Sequence, residues 1–381
     1  MTPFMIAAPG RILFGRGEAA KAPSLIVGHG LRGVVVHGAQ AARAAWLVEG
    51  LRAAGADVLA LSCPGEPTLA MLETALDAAR GHGAQWVAAL GGGAALDLGK
   101  ALAGLTPGAT PPTDHLEVVG RGLPLSAPPL PFIAIPTTSG TGAEATRNAV
   151  IGLPDHGRKV SLRDDRMLAR LAIVDPALTD GCPRGVTLAS GLDAVTQLIE
   201  PYVCSRATLF TDALTKAAIP VGINALMRLM QGEDARARDD LAWVSLSGGL
   251  ALANSGLGAV HGLAGVIGGL IPAPHGAICG ALLGPVLAVN RDRATGQALA
   301  RLNDVCGALA TAFACTNDDA PAALSRWAAV QGLPTLVALG LDPALHARVA
   351  AAAAVSSSMK GNPVALAPAD LIEALLLADV S

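Results

Sequence analysis

A chain of 381 residues is too long for one ordinary hydrophobic core and suits two domains of unequal architecture. With 15% charged residues and a formal net charge of -3, it offers neither a basic surface for nucleic acid nor a polyanionic tail. Cys63, Cys182, Cys204, Cys279, Cys306 and Cys315 show no CxxC pairing, and the N-terminus lacks a charged region leading into an apolar core. The expectation is therefore a cytoplasmic chain with reduced thiols that binds no nucleic acid.

Over the first 180 residues short β-rich runs alternate with Ala-rich amphipathic segments, the pattern of a parallel sheet covered by helices. Strands are predicted at Gly33–His37, Asp57–Ser62, Trp86–Leu90, Pro131–Ile135 and Leu171–Val174, and helices at Ala39–Ala54 and Thr68–His82. Thr106–Pro131 is rich in Pro and Gly and reads as an irregular connection. After Pro183 the β signal disappears. Helices are predicted at Val186–Val203, Thr211–Met230, Leu241–Asn254 and Arg293–Phe313. Asp175-Pro176 and Gly181-Cys182-Pro183 mark a boundary near residue 180. The predicted organisation is an α/β domain over residues 1–180 and an all-helical domain over 181–381.

Leu241 to Asn290 contains no Asp, Glu, Lys or Arg, which raises the question of a membrane span. A spanning helix needs about 20 continuous apolar residues. Here Ser245, Ser247, Asn254, Ser255, His261, Pro272, Pro274 and His275 interrupt the run, so closely packed buried helices fit better and no membrane is expected. The many glycines permit close backbone approach.

Two motifs carry chemistry. Strand Trp86–Leu90 runs into Gly91-Gly92-Gly93 and then a helix near Ala94, gathering backbone amides at a helix N-terminus where a pyrophosphate fits. Such a turn by itself is as often a tight turn alone; Asp97 can simply complement the helix dipole, and Lys100 can be read as a solvated surface charge. The second motif, Pro136-Thr137-Thr138-Ser139-Gly140-Thr141-Gly142-Ala143-Glu144, places four hydroxyls and two glycines after strand Pro131–Ile135, at the carboxyl edge where open α/β sheets bind ligands.

Together, Gly91-Gly92-Gly93-x-x-x-Asp97-x-x-Lys100 and Pro136-Thr137-Thr138-x-Gly140-Thr141-x-x-Glu144 resemble the two signatures of the iron-dependent (group III) alcohol dehydrogenases, a group that includes the maleylacetate reductases and glycerol dehydrogenases. The likeness runs from Arg11-Ile12-Leu13-Phe14-Gly15 to Gly361-Asn362-Pro363. It implies a Rossmann-like N-terminal domain, an all-helical C-terminal domain, and NAD or NADP in the cleft between them. By position, Gly91, Gly92, Gly93 and Ala94 would meet the pyrophosphate, and Thr137, Thr138, Lys159 and Leu178 the rest of the nucleotide. Asp97 belongs to the signature and is included in the nucleotide-binding set. Relatives strict for NAD carry an Asp just after the first nucleotide-binding strand; this chain has His37-Gly38-Ala39-Gln40, and nothing there excludes NADP.

Within the charge-free stretch His261 and His275 are the residues that titrate near neutral pH, each followed by glycine. A lone buried His is more often a hydrogen-bonded core residue than a ligand; two in so apolar a segment shift the balance toward a site. Asp193 occupies another apolar helical run, where an unpaired carboxylate is costly and a cation would relieve the cost. The resemblance implies four ligands to Fe or Zn: Asp193, a residue one turn later, His261 and His275. The second position holds Gln197, a poorer donor than imidazole. Gly265 stands where many relatives carry a further His facing the nicotinamide.

Two mechanisms follow, with His261 and His275 catalytic in both. In one, a divalent metal polarises the substrate oxygen while the nicotinamide exchanges a hydride with a small alcohol or its aldehyde or ketone. In the other, a metal-free site reduces an anionic enone acid in the manner of a maleylacetate reductase. Asp193 favours the first. A third reading, a nucleotide-sensing or structural protein that lost the chemistry, is motivated by Gln197 and Gly265. Arg147, Arg158 and Arg163 are equally a solvated basic face or a site for an anion. The resemblance suggests a homodimer or larger homo-oligomer.

Overall fold

A computed structural model describes residues 3–380, which form two compact units. One comprises Ala7–Thr138 and Gly142–Thr179; the other runs from Asp180 onward and includes Ser139–Thr141 and the N-terminal residues through Ile6.

The first unit is α/β. Its strands are β1 (Ile12–Phe14), β2 (Arg32–His37), β3 (Asp57–Ser62), β4 (Trp86–Gly91), β5 (Phe132–Pro136), β6 (Asn148–Leu153), β7 (Arg158–Arg163) and β8 (Leu171–Val174). Six form a sheet in the order β1-β8-β5-β4-β2-β3 with every neighbouring pair parallel. The five predicted strands are present, with ends within a residue of the expected ones. β1 escaped notice because three partly exposed residues carry no alternation. The antiparallel hairpin β6–β7 was also missed: Arg158, Lys159 and Arg163 dilute the β signal of a strand whose Val160 and Leu162 are buried.

Side chains alternate across the sheet with the two-residue period of a strand. Val35, Ala88, Leu90, Ile133, Ile135 and Ile173 face α1 (Ala22–Val27) and α2 (Ala45–Ala53). Val34, Val36, Val87, Ala89 and Ala134 face α3 (Leu69–His82) and α4 (Gly93–Leu105). The chain thus winds outward from β2 to β3, crosses back to β4 and continues the other way. The helices after β2 and β4 therefore lie on opposite faces, which opens a topological switch point at the carboxyl ends of these two strands, the place where such sheets take ligands. The Thr106–Pro131 connection contains one helical turn, α5 (Pro112–His115).

The second unit is helical: α6 (Arg184–Val203), α7 (Leu209–Thr215), α8 (Ala218–Gln231), α9 (Ala235–Ser255), α10 (Ala259–Leu270), α11 (His275–Arg293), α12 (Gly296–Phe313), α13 (Ala320–Val330), α14 (His346–Ala354) and α15 (Pro368–Asp379). The expected Thr211–Met230 helix is two helices. Thr215 Oγ1 bonds back to the Thr211 carbonyl at 2.8 Å just before the break, a contact that bends helices. α6 is the hub, packed against α8, α9 and α11, while α11 also meets α10, α13 and α15. Among the described residues no single helix is long and apolar enough to cross a membrane; α9 and α10 pass that test only jointly, and they meet at 98°. The charge-free segment instead supplies this unit's core, including Leu246, Leu250, Leu263, Ile267, Leu282 and Leu283.

One close contact fixes the sheet's centre. Gly33 on β2 is paired with Trp86 on β4, and a Cβ at Gly33 would fall 2.2 Å from the fully buried indole, whose Nε1 donates to the Gly30 carbonyl at 2.9 Å. Gly33→Ala is expected to lower the unfolding free energy by about 1–3 kcal/mol through overpacking, measured by chemical denaturation.

Candidate functional site

At the switch point β4 ends in Gly91, Gly92 is the N-cap and α4 begins at Gly93. The first bond of the helix runs from Leu96 N to Gly92 O, so the amides of Gly93, Ala94 and Ala95 have no partner inside the helix. No side chain caps this end, leaving the donors and the positive end of the dipole to an anion. The glycines make room: a Cβ at Gly91 would lie 2.6 Å from the Ala95 Cβ, and one at Gly92 would lie 3.3 Å from Thr138 Oγ1. Thr137 N donates to Gly91 O at 2.9 Å, tying the threonine loop to the turn. Gly91, Gly92, Gly93, Ala94, Thr137 and Thr138 are thus assembled at one edge. Lys159 lies on the hairpin beside Glu66, at 3.6 Å, and Leu178 packs against the α1–α2 face of the sheet. Arg147 and Arg163 pair with Asp165 and Glu117.

The reading of Lys100 as a solvated charge is overturned. Its side chain is fully buried, and Nζ donates to Ala143 O at 2.7 Å, Thr146 Oγ1 at 2.9 Å and Asn148 O at 2.8 Å. Asp97 Oδ2 accepts from Val150 N at 3.0 Å. The signature's two charged residues therefore clip α4 to the end of the threonine loop and to the hairpin, and an amphipathic reading of α4 could not see this because the partners are backbone groups far along the chain. Burial pushes the Lys100 ammonium down to about 8, against the attraction of Asp97 and Glu144. Burial likewise pushes the neighbouring Glu144 carboxyl up to about 7.

In the helical unit three predicted residues converge from three helices. Asp193 lies in the middle of α6, His261 in the first turn of α10 and His275 at the start of α11. His261 Nε2 is 3.4 Å and His275 Nε2 4.0 Å from Asp193 Oδ1. Cys279, one turn after His275, joins them, and the four ligand atoms all lie within 4.8 Å of one another. Gly276 permits the convergence: a Cβ there would fall 2.4 Å from Ala189 O and 3.3 Å from the Asp193 Cβ, so only glycine lets α11 start against α6.

Glu200, two turns after Asp193 on α6, was also missed. It is buried, accepts from His261 Nδ1 at 2.6 Å and from Val260 N at 2.7 Å, and so holds the ring with Nε2 toward Asp193. A carboxylate behind an imidazole in this way is a recurrent support for a metal ligand. Gln197 is buried as well; its Nε2 donates to Gly140 O at 3.0 Å, while Gly140 N donates to Ser245 Oγ at 2.9 Å. Gly265 is exposed, and a side chain there would meet nothing within 4 Å.

The residues fit a cation. Asp193 Oδ1 and Gln197 Oε1 are buried without a hydrogen-bond partner among the described residues, and the 3.4 Å approach of His261 is a charge contact rather than a hydrogen bond. Burial alone would raise the Asp193 carboxyl, yet the two imidazoles hold it below its usual range. Although burial opposes it, Cys279, Glu200 and Asp193 lift His261 well above its ordinary value. His275 rises to about 9, chiefly through Cys279, against burial and the repulsion of His261. The carboxylate of Asp193 and the two imidazoles thus hold one another in their charged forms. The His275 side chain is 32% exposed while Asp193 and Cys279 are sealed, so the cluster is reached from the His275 side.

The two family models that match this chain place it in a class of oxidoreductases that act on alcohols. The chain belongs to the iron-containing alcohol dehydrogenase family, whose model matches residues 9–176 and whose C-terminal model matches residues 187–379. It is 33% identical over 336 residues to the "Probable alcohol dehydrogenase EutG" of Salmonella typhimurium, covering 88% of this chain and 83% of that protein. The match to the Escherichia coli protein of the same name, 37% over 254 residues, takes in 66% of this chain and 63% of the other. A solved 1,3-propanediol oxidoreductase superimposes with a TM-score of 0.87 at 25% identity, covering 99% of this chain and 100% of that one. These relatives are named for alcohols and lend no support to metal-free reduction of an enone acid.

Two outcomes are expected. Glu200→Gln, which can no longer accept from both His261 and Val260, lowers divalent metal affinity about 10–100-fold in equilibrium binding measurements. For Glu144, a carboxyl raised from 4.5 to about 7 contributes stability that is complete below pH 4.5 and is lost as pH rises through about 7. Glu144→Gln therefore flattens the decline in unfolding free energy across that window relative to the native chain, measured by denaturant titration at a series of pH values.

Proposed function

We propose that this chain interconverts a small alcohol and its aldehyde or ketone, with NAD or NADP as hydride carrier and a divalent metal held by Asp193, His261 and His275. The observation that carries the reading is the orphaned, buried Asp193 carboxylate oxygen facing two imidazoles. When bound, the cation supplies Lewis-acid polarisation of the substrate oxygen and the nicotinamide gives or takes the hydride. The amides of Gly93, Ala94 and Ala95 hold the diphosphate, and Thr137 and Thr138 line the same turn. Glu200 accepts from His261 Nδ1, so Nε2 is the ring nitrogen turned toward the cation's place beside Asp193. With glycine at 265, no side chain relays a proton from that position, and His275 is the member of the cluster open to substrate. The stretch from His37 to Gln40 carries no carboxylate to repel a 2′-phosphate, which supports use of either nucleotide.

The experiment is nicotinamide absorbance with a panel of short alcohols and aldehydes, before and after removal of metal by a chelator. Turnover is expected with at least one of NAD and NADP, lost on chelation, restored by divalent metal, and reduced at least about 100-fold in His261→Ala. Nucleotide binding without turnover on any member of the panel overturns the reading in favour of a non-catalytic nucleotide sensor.

A further inference from the structure

We infer that Cys279 supplies the fourth protein donor of this centre as a thiolate, in place of Gln197, giving an Asp–His–His–Cys site that takes zinc in preference to iron. The inference rests on the proposed reading that the cluster holds a divalent cation.

Three observations carry it. The first is distance. For zinc–nitrogen and zinc–oxygen bonds of about 2.0–2.1 Å and a zinc–sulfur bond of about 2.3 Å, the edges of a tetrahedron are about 3.5 Å between nitrogen and sulfur and about 3.4 Å between nitrogen and oxygen. Cys279 Sγ lies 3.5 Å from His275 Nε2, and His261 Nε2 lies 3.4 Å from Asp193 Oδ1. Two edges of the tetrahedron are thus already at these lengths, the His275–Asp193 edge is longer at 4.0 Å, and all four ligand atoms lie within 4.8 Å of one another.

The second is position. Cys279 follows His275 by one helical turn on α11, so the two side chains emerge on one face, and Gly276 between them brings that face against Asp193. Cys279 is fully buried, and the ligand atoms of Asp193, His261 and His275 are its neighbours.

The third concerns the residue it replaces. Gln197 follows Asp193 by one turn on α6; its Nε2 donates to the Gly140 carbonyl, which fixes the orientation of the amide, and its Oε1 has no hydrogen-bond partner among the described residues. Gln197 thereby ties Gly140 to α6. A neutral amide oxygen is also a weaker donor to zinc than a thiolate, and a soft sulfur ligand moves a site's preference toward zinc. On metal binding the thiol releases its proton to solvent and the sulfur lone pair forms the new bond. Zinc with four protein donors expands to a fifth position when a substrate arrives, and the exposed side of His275 is where it would enter.

The test is zinc-edge X-ray absorption on the full chain loaded with one zinc per chain, together with the optical spectrum of the cobalt-substituted protein. Expected are one sulfur scatterer at about 2.3 Å and a near-ultraviolet thiolate-to-cobalt charge-transfer band in the native chain. Both are absent in Cys279→Ser and retained in Gln197→Ala, and zinc affinity falls at least about tenfold in Cys279→Ser. A native chain that binds one ion through nitrogen and oxygen alone overturns the inference and leaves the alcohol dehydrogenase reading standing. A native chain that retains no zinc or cobalt after loading overturns both the inference and the metal-assisted reading. The native-chain spectra decide the matter even if Cys279→Ser fails to fold.

Discussion

The helical unit is organised around a buried carboxylate oxygen that has no hydrogen-bond partner among the described residues. Asp193 lies at the middle of the hub helix, sealed from solvent, with Oδ1 making no hydrogen bond among the described residues and two imidazoles 3.4 and 4.0 Å away. Removing an ion from water costs several kcal/mol even after a protein relaxes around it. A fold retains such a group only where something repays that cost, and here the surroundings are built for positive charge. Glu200 stands behind His261, Cys279 beside His275, and the long neighbouring segment contributes no Lys or Arg. The absence of charge from Leu241 to Asn290 and the acid–imidazole cluster are one design: a low-dielectric jacket makes a few ionisable groups strong.

Packing then determines which groups meet. α6 contributes Asp193, Gln197 and Glu200 at successive turns, and each faces a different neighbour: the imidazoles, the Gly140 carbonyl and the α10 N-terminus. The close starts of α10 and α11 depend on glycine. A side chain at Gly276 would strike the Ala189 carbonyl, and one at Gly258 would strike Glu200 and Asn362. Small residues serve as the spacing elements of this centre.

The α/β unit shows the same economy. Its glycine turn leaves helix amides open at the sheet's switch point, while Asp97 and Lys100, one and two turns further along α4, secure the hairpin and the loop beyond β5. A fully buried ammonium with three oxygen acceptors is a rigid joint, because moving any acceptor leaves a charge unpaired in the interior. The loop presenting Thr137 and Thr138 is thereby held from behind.

Legibility in the sequence followed the violation of local rules. The parallel strands and long helices were readable because apolar periodicity is local. Asp193, His261 and His275 stood out because ionisable groups in apolar runs conflict with burial, and the glycine turn because three consecutive residues without side chains interrupt a strand-to-helix pattern. Lys100, Glu200 and Cys279 conflicted with nothing: a lysine or a glutamate on a helix reads as a surface charge, and a cysteine among Ala, Ile and Gly reads as a small apolar residue. Their roles were set only when each unit packed, since burial and partners 43 to 61 positions away from Lys100 and Glu200 are properties of packing. Sequence by itself determined the five central strands, the helical character of the second half, the glycine turn and the three residues that needed explanation; tertiary structure decided their neighbours, because hydrogen bonding and desolvation act through space rather than along the chain.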